Sequence, residues 1–124
     1  MVTSEELEPY LLRERKIFKK YPQAKSDMTE AKGALIDNPT LGDVYPGLAI
    51  EAVRKIRVGI KALKMPPRSA LRFYYFYAVE KKKIVYIHLL KKGKPQQENK
   101  VIKEVKKALK EIIKELKSKT EDVT

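Results

Sequence analysis

The chain has 124 residues, enough for one domain with a modest core, and its 43% hydrophobic and 35% charged residues are typical of a globular protein. It has no cysteine and one histidine, which excludes disulfides, and neither a metal site nor a cofactor is expected. No apolar run approaches the roughly 20 residues that span a bilayer, and the acidic start is unlike a basic signal peptide, so we expect one cytoplasmic domain over residues 1–124, without a membrane partner.

The net charge of +12 is unevenly distributed along the chain. Residues 1–52 carry 7 basic and 9 acidic side chains, whereas residues 53–94 carry 13 basic side chains and the single acid Glu80. Such a field attracts polyanions, nucleic acids among them. Lysines that only keep the surface soluble are the alternative, but a merely soluble surface usually interleaves both signs.

The first half of the chain predicts two helices. Ser4 can cap the first, and Tyr21-Pro22 ends it. Asp27 starts the second, with Glu30 in a capping-box position, and Asn38-Pro39 stops it. Residues 39–47 are rich in turn formers and are predicted to lead into a sheet.

The second half predicts strands and then a helix. Apolar and polar residues alternate over 53–63, 71–79 and 84–90, and the charged tip 80–83 makes an antiparallel hairpin of the last two strands. After Gly93 and Pro95, a wide apolar face predicts a C-terminal helix, with Glu104 among lysines on its exposed side. We therefore expect an α+β domain: an N-terminal helical hairpin, an antiparallel sheet of three to four strands with one open face, and a C-terminal helix.

Period-two alternation predicts that basic and aromatic side chains share the open sheet face. The predicted members are Lys55, Arg57, Lys61, Arg72, Tyr74, Phe76, Tyr86 and His88. Cations can bind phosphates while aromatic rings stack on unpaired bases, an arrangement typical of proteins that bind single-stranded RNA. On pattern alone a structural interpretation is equally open, in which the aromatics fill the core and the cations keep an exposed sheet from aggregating.

Four segments in order resemble the RelE/ParE toxin superfamily of type II toxin–antitoxin systems, particularly its HigB-like branch. FKKYPQAKSDMTEAKGALIDNPTLGDVYPGL, from Phe18, is similar to the helical hairpin and the Asn-Pro-x-x-Gly loop of that branch. VRKIRVGIKAL resembles the strand with a Lys-x-Arg pair, and LRFYYFY the next strand, in which an Arg precedes an aromatic run. IVYIHLLKKGKPQ is similar to the last strand and its basic exit. The resemblance covers roughly residues 12–95.

The resemblance implies a metal-independent endoribonuclease that cleaves mRNA in the ribosome, a hydrolase called an mRNA interferase, and neutralisation by a cognate antitoxin. In the ParE-like branch it implies inhibition of gyrase. The catalytic residues implied by position are Lys55, Arg57 and Arg72, with His88 as a candidate acid or base. The resemblance also implies that Lys91 or Lys92 contacts phosphate, and further candidate RNA contacts are Lys61, Arg68, Tyr74 and Tyr86. A lone histidine is more often structural, and a non-catalytic relative that binds antitoxin, gyrase or RNA through the same basic surface is the alternative.

The chain departs from the family pattern at three places. The loop before the second strand reads MPPRS, where the family is rich in Gly, Lys and Ser. The position that commonly holds a Tyr or His at the end of the last strand matches Leu90. Residues 1–11 offer no clear counterpart of the N-terminal edge strand. Fold tolerates such changes more easily than activity does.

Overall fold

A computed structural model describes residues 2–44, 53–67, 70–79, 81–91, 100, 103–108, 110–111 and 114. Its elements, in chain order, are β1 (Thr3–Glu6), α1 (Glu8–Lys20), α2 (Ala24–Asp37), β2 (Asp43–Val44), β3 (Val53–Val58), a 3₁₀ turn (Lys61–Leu63), β4 (Leu71–Ala78) and β5 (Lys83–Lys91). The described residues from 100 onward are helical. Within the described part of the chain, no helix is long and apolar enough to cross a bilayer.

The strands form a five-stranded sheet in the order β1-β5-β4-β3-β2. Strands β2 to β5 pair antiparallel with their neighbours, and β1 joins the edge of β5 in parallel. The predicted α+β fold, with a helical hairpin before an antiparallel sheet, is therefore confirmed. The sheet has two edge strands, β1 and β2, that the alternation of residues did not predict.

The predicted starts of both helices were wrong. The second helix, α2, begins at Ala24 and not at Asp27, which lies within its first turn. Ser4 does not cap a helix: it lies in β1, where its Cα pairs with that of Ile84. The first helix instead begins at Glu8, with Pro9 in its first turn, where a missing backbone N–H costs nothing. All four residues of β1 are exposed, so this strand lacks the apolar alternation by which strands are recognised, and it exists through pairing at a sheet edge.

The strand predicted over 53–63 ends earlier, at Val58. The chain then folds back on itself, because Ile60 and Met65 exchange backbone hydrogen bonds of 3.0 and 3.1 Å. Lys64 adopts a left-handed backbone, with φ of 54°, and so completes the turn. Lys61 therefore lies in the 3₁₀ turn, outside the sheet surface on which it was predicted.

The sheet carries an apolar cluster on each face. The cluster on the side of α1 and α2 includes Tyr10, Met28, Leu35, Val58, Leu71, Phe73, Tyr75, Ile84, Tyr86 and Leu89. The cluster on the opposite face includes Val53, Tyr74, Phe76, Ala78, Val85, Ile87 and Val105. Val105, in the C-terminal helical segment, is 1% exposed, and Ala108 packs against the same cluster. The face predicted to be open is thus covered in part by that segment.

A β-bulge in β5 decides which side chains share a face. Tyr74 pairs with His88, but the next residue, Tyr75, pairs with Tyr86, so Ile87 is an extra residue. A bulge places two successive side chains on the same side of the sheet. Ile87 accordingly joins the cluster away from the helices, together with His88, while Tyr86 belongs to the cluster beneath them.

Candidate nucleic-acid interface

Three cations of the predicted interface lie on one face of the sheet. Arg57 of β3 and Arg72 of β4 are directly opposite each other, and Lys55 is opposite Tyr74 in the same register. Since opposite residues of an antiparallel pair point to the same side, these cations face away from α1 and α2. Arg57 is exposed, and Lys55 and Arg72 are half-buried. The predicted grouping of the three is therefore present in the structure.

An acid also reaches this face. Asp43 of β2 is directly opposite Lys55 on the other side of β3, and its side chain is exposed. A carboxylate across from an ammonium offsets part of its charge. The charge of Lys55 is therefore partly offset, whereas Arg57 and Arg72 lie farther along the register from this acid, at the opposite end of the face from the apolar cluster around Val53.

Tyr74 was predicted to stack on bases from this face. It does lie on this face, but it is 1% exposed and forms part of the apolar cluster under the C-terminal segment. Its ring meets that of His88 edge-on, with centroids 6.3 Å apart. A ring without exposed surface cannot stack on a ligand base, so its contribution here is packing.

His88 also lies on this face, but it is 2% exposed and covered by Glu104. Its Nε2 is 2.8 Å from Oε2 of Glu104, whose other oxygen is 3.5 Å from Nη2 of Arg13. Burial lowers the pKa of His88, and the hydrogen bond to Glu104 opposes this without reversing it. The imidazole is therefore largely neutral near pH 7 and joins β5 to the C-terminal segment and α1.

Tyr86 was predicted on the open face, and this was wrong. Because of the bulge its ring lies under α1, with its centroid 5.7 Å from that of Tyr10 and 5.0 Å from that of Phe73. It is 1% exposed. It is thus a core residue that a bound RNA does not reach.

Two further predicted RNA contacts lie elsewhere. Lys61 is exposed on the 3₁₀ turn, with its Nζ 3.0 Å from Oε2 of Glu30 on α2. Lys91 is opposite Leu71, on the face of the helices, and its Nζ is 5.8 Å from the ring centroid of Tyr21. The remaining two, Arg68 and Lys92, lie outside the described residues.

The sequence reasoning missed how the loop before the sheet is anchored. The Tyr75 hydroxyl donates to the carbonyl of Pro39 and accepts from the N–H of Gly42, both at 2.9 Å. Arg54 donates to the carbonyl of Gly42 at 2.7 Å and to that of Thr40 at 3.2 Å. The Asn-Pro-x-x-Gly motif could have indicated this anchoring, because a loop with few apolar residues must be held by hydrogen bonds to its backbone.

The helical hairpin and the five-stranded sheet form a fold that is also found among solved structures. Among solved structures the chain is similar to the isolated RelE toxin of E. coli, with 15% identity and a TM-score of 0.57, over 85% of this chain and 99% of that one. No protein-family model and no curated protein sequence matches the chain. The RelE/ParE-like fold expected from the sequence is therefore confirmed, and the HigB-like branch stays a prediction.

Proposed function

We propose that the chain is the toxin of a type II toxin–antitoxin pair and that it cleaves mRNA in the ribosome. The observation that carries the proposal is the direct opposition of Arg57 and Arg72 on the sheet face turned away from the helical hairpin. Opposite residues of an antiparallel pair have Cβ atoms about 4.5–5.5 Å apart, so both guanidinium groups can reach one phosphate. The RelE-like fold supports a toxin with an antitoxin partner, and the loop from Asn38 to Gly42 supports the HigB-like branch.

The proposed reaction uses the RNA's own nucleophile. A ribose 2′-hydroxyl loses its proton to water and attacks the adjacent phosphorus. The bond to the 5′ oxygen breaks as that oxygen takes up a proton from water, which leaves a 2′,3′-cyclic phosphate and a 5′-hydroxyl. Negative charge increases on the phosphoryl oxygens as the fifth bond forms. Arg57 and Arg72 stabilise that charge through hydrogen bonds, and Lys55 adds a third cation beside the reacting phosphate.

A second candidate is a non-catalytic relative that binds RNA, gyrase or an antitoxin through the same surface. It is favoured by the burial of His88 and Tyr74, which are 2% and 1% exposed. Among the described residues that we assigned to the site, those that a ligand can reach are cations, and neither the imidazole of His88 nor the ring of Tyr74 is accessible. Cations suffice for binding a polyanion, whereas cleavage also needs a group that moves protons.

Mapping of transcript ends after induction of the chain in cells, with and without its antitoxin, tests the two candidates. We expect new 5′ ends inside translated mRNAs, and their loss in Arg72→Ala with the fold and antitoxin binding intact. Lys19→Ala is the matched control, because it removes the same charge from an exposed position on α1 and should leave cleavage unchanged. Unchanged cleavage by Arg72→Ala would overturn the assigned site. Growth arrest without new RNA ends would support the non-catalytic candidate.

A binding measurement with purified protein addresses the cations directly. The affinity for single-stranded RNA should fall with salt, and each lost phosphate contact should reduce the slope of log K against log salt by about 0.7. Arg57→Ala and Arg72→Ala are each expected to show that reduction. Lys19→Ala should retain the slope of the unaltered chain.

A further inference from the structure

A groove of about 520 Å³ lies between α2, the end of β3 and the turn that follows it. Its volume falls in the range of roughly 300–1,000 Å³ that small-ligand sites occupy. Most of its wall is apolar, formed by Ala31, Ala34, Ile56, Met65, Pro66 and Pro67. Apolar walls of this kind can pack against the faces of an aromatic ring.

One charged side chain in the groove is nearly buried. Asp27 lines the groove, is 7% exposed, and forms no hydrogen bond or ion pair with any residue that the structure describes. Glu30, one helical turn away at the rim, is by contrast paired with Lys61 and exposed. A carboxylate in a mostly apolar groove has few hydrogen-bond donors around it, so a ligand that supplies two donors would be stabilised at Asp27.

The groove adjoins the arginine pair of the interface. Arg57 lines the groove and is also the direct partner of Arg72 across β3 and β4. Lys61 and Lys64 contribute further positive charge to the lining. The Arg57 side chain points to the other face of the sheet, so the groove and the arginine pair lie on opposite sides of the end of β3, and an RNA strand that passes this end can contact both.

Guanine is the base whose donors match one carboxylate. Its Watson–Crick edge presents N1–H and N2–H side by side, whereas adenine, cytosine and uracil each present a donor there beside an acceptor, which would face the second carboxylate oxygen. We propose that the groove binds an unstacked guanine of the RNA, with N1–H and N2–H donating to Asp27, while a phosphate of the same strand binds Arg57 beyond the end of β3. This inference rests on the proposed function, since it assumes that the chain binds RNA.

Fluorescence anisotropy with the full chain and labelled oligouridines tests the base preference. Oligonucleotides with one central guanosine, adenosine, inosine or 1-methylguanosine differ in the donors that they offer. Central guanosine should bind about 5- to 150-fold more tightly than adenosine, the ratio that a bidentate contact gives. Inosine, which lacks the N2 amino group, should fall between the two, and 1-methylguanosine should bind like adenosine. Equal binding of all four would overturn the inference, and this comparison needs no variant to fold.

The variant Asp27→Asn tests whether this carboxylate recognises the guanine. Its preference for guanosine over adenosine should shrink by about fivefold or more, while its affinity for the adenosine oligonucleotide stays the same. Glu30→Gln is the matched control, because it neutralises an exposed acid of the same groove and should keep the preference. A preference that survives in Asp27→Asn overturns the assignment.

The outcomes separate this inference from the proposed function. RNA binding that depends on Arg72 and on salt, but shows no base preference, overturns the guanine site and leaves the proposed function standing. Absence of RNA binding overturns both. If Asp27→Asn weakens binding of the antitoxin and leaves every RNA affinity unchanged, the groove is a protein-docking site and the guanine assignment is wrong.

Discussion

The Nζ of Lys32 on α2 lies 2.6 Å from Oε2 of Glu14 on α1. The same ammonium is 2.7 Å from Oε1 of Glu6 on β1, and 5.0 and 5.5 Å from the ring centroids of Tyr10 and Tyr86. Burial alone would lower the pKa of Lys32, but the hydrogen bonds to Glu14 and Glu6 raise it overall. The ammonium therefore stays charged and ties the two helices to the edge of the sheet.

Replacing Lys32 by Met is expected to destabilise the chain. The lysine side chain is 22% exposed and that of Glu14 16%, so the substitution leaves a largely buried carboxylate without its cation. The expected loss in the free energy of unfolding is about 1–3 kcal/mol, measured by urea denaturation. Lys61→Met is the control, since its ion pair with Glu30 is 75% and 69% exposed and should matter little. Equal effects of the two substitutions would contradict the structural role of Lys32.

His88 makes stability depend on pH. Burial, opposed by Glu104, lowers its pKa below the ordinary value of 6.5, so the unfolded chain takes up a proton that the folded chain refuses. The contribution is fully present above pH 6.5 and is lost as the pH falls toward the folded pKa. We expect the free energy of unfolding to decrease between about pH 7.5 and pH 5.5, a range in which His88 is the one histidine that titrates.

The variant His88→Gln isolates this contribution. Glutamine can still donate a hydrogen bond toward Glu104 but does not titrate, so the decrease over that pH range should be smaller than in the unaltered chain. Denaturant titrations at the two pH values measure the difference. The same pH dependence in both proteins would show that the ring is not held neutral in the folded state.

The Tyr75 hydroxyl should be needed to hold the loop before the sheet. Tyr75→Phe leaves the N–H of Gly42 and the carbonyl of Pro39 without their partner, at an expected cost of about 1–3 kcal/mol in the free energy of unfolding. Tyr77→Phe is the control, because that hydroxyl makes no hydrogen bond with a described residue and its loss should be nearly neutral. Faster amide exchange at Gly42 in Tyr75→Phe alone would locate the effect in the loop.

Local patterns predicted the elements that are rich in apolar residues. Helices α1 and α2 and strands β4 and β5 carry apolar residues at the spacing of their own structure, so their positions follow from the residues themselves. β1 does not, because its four residues are exposed and its existence depends on the edge of β5. A strand that is held by pairing alone has no signal within its own residues.

The contrast between local pattern and tertiary pairing also explains which parts of the candidate site were predicted correctly. Arg57 and Arg72 share a face as alternation predicts, because the register of β3 and β4 is continuous from end to end. Tyr86 does not share the face of His88, because the extra residue Ile87 shifts the register of β5 without interrupting its apolar run. The burial of His88 depends on where the C-terminal segment packs, which is a tertiary relationship that no local pattern contains.

Replacement of two glycines by alanine should change the free energy of unfolding in opposite directions. Gly33 lies inside α2, and a Cβ built on it meets nothing within 4 Å, so Gly33→Ala should stabilise the chain by about 0.5–1 kcal/mol through helix propensity. At Gly42 the Cβ would lie 2.8 Å from the Tyr75 hydroxyl and 3.0 Å from the carbonyl oxygen of Lys55. Gly42→Ala should therefore destabilise it, by about 1–3 kcal/mol.

The pair separates packing from backbone freedom. No described glycine has a positive φ, so alanine can adopt the backbone at both positions, and the contrast comes from the space around the new methyl group. Thermal or urea denaturation of the two variants measures the increase in stability expected for Gly33→Ala and the decrease expected for Gly42→Ala. In the double variant Gly42→Ala, Tyr75→Phe, removal of the hydroxyl relieves one of the close contacts. The loss in the free energy of unfolding of the double variant should therefore be smaller than the sum of the losses in the two single variants. Simple additivity would show that Gly42 is not packed against Tyr75.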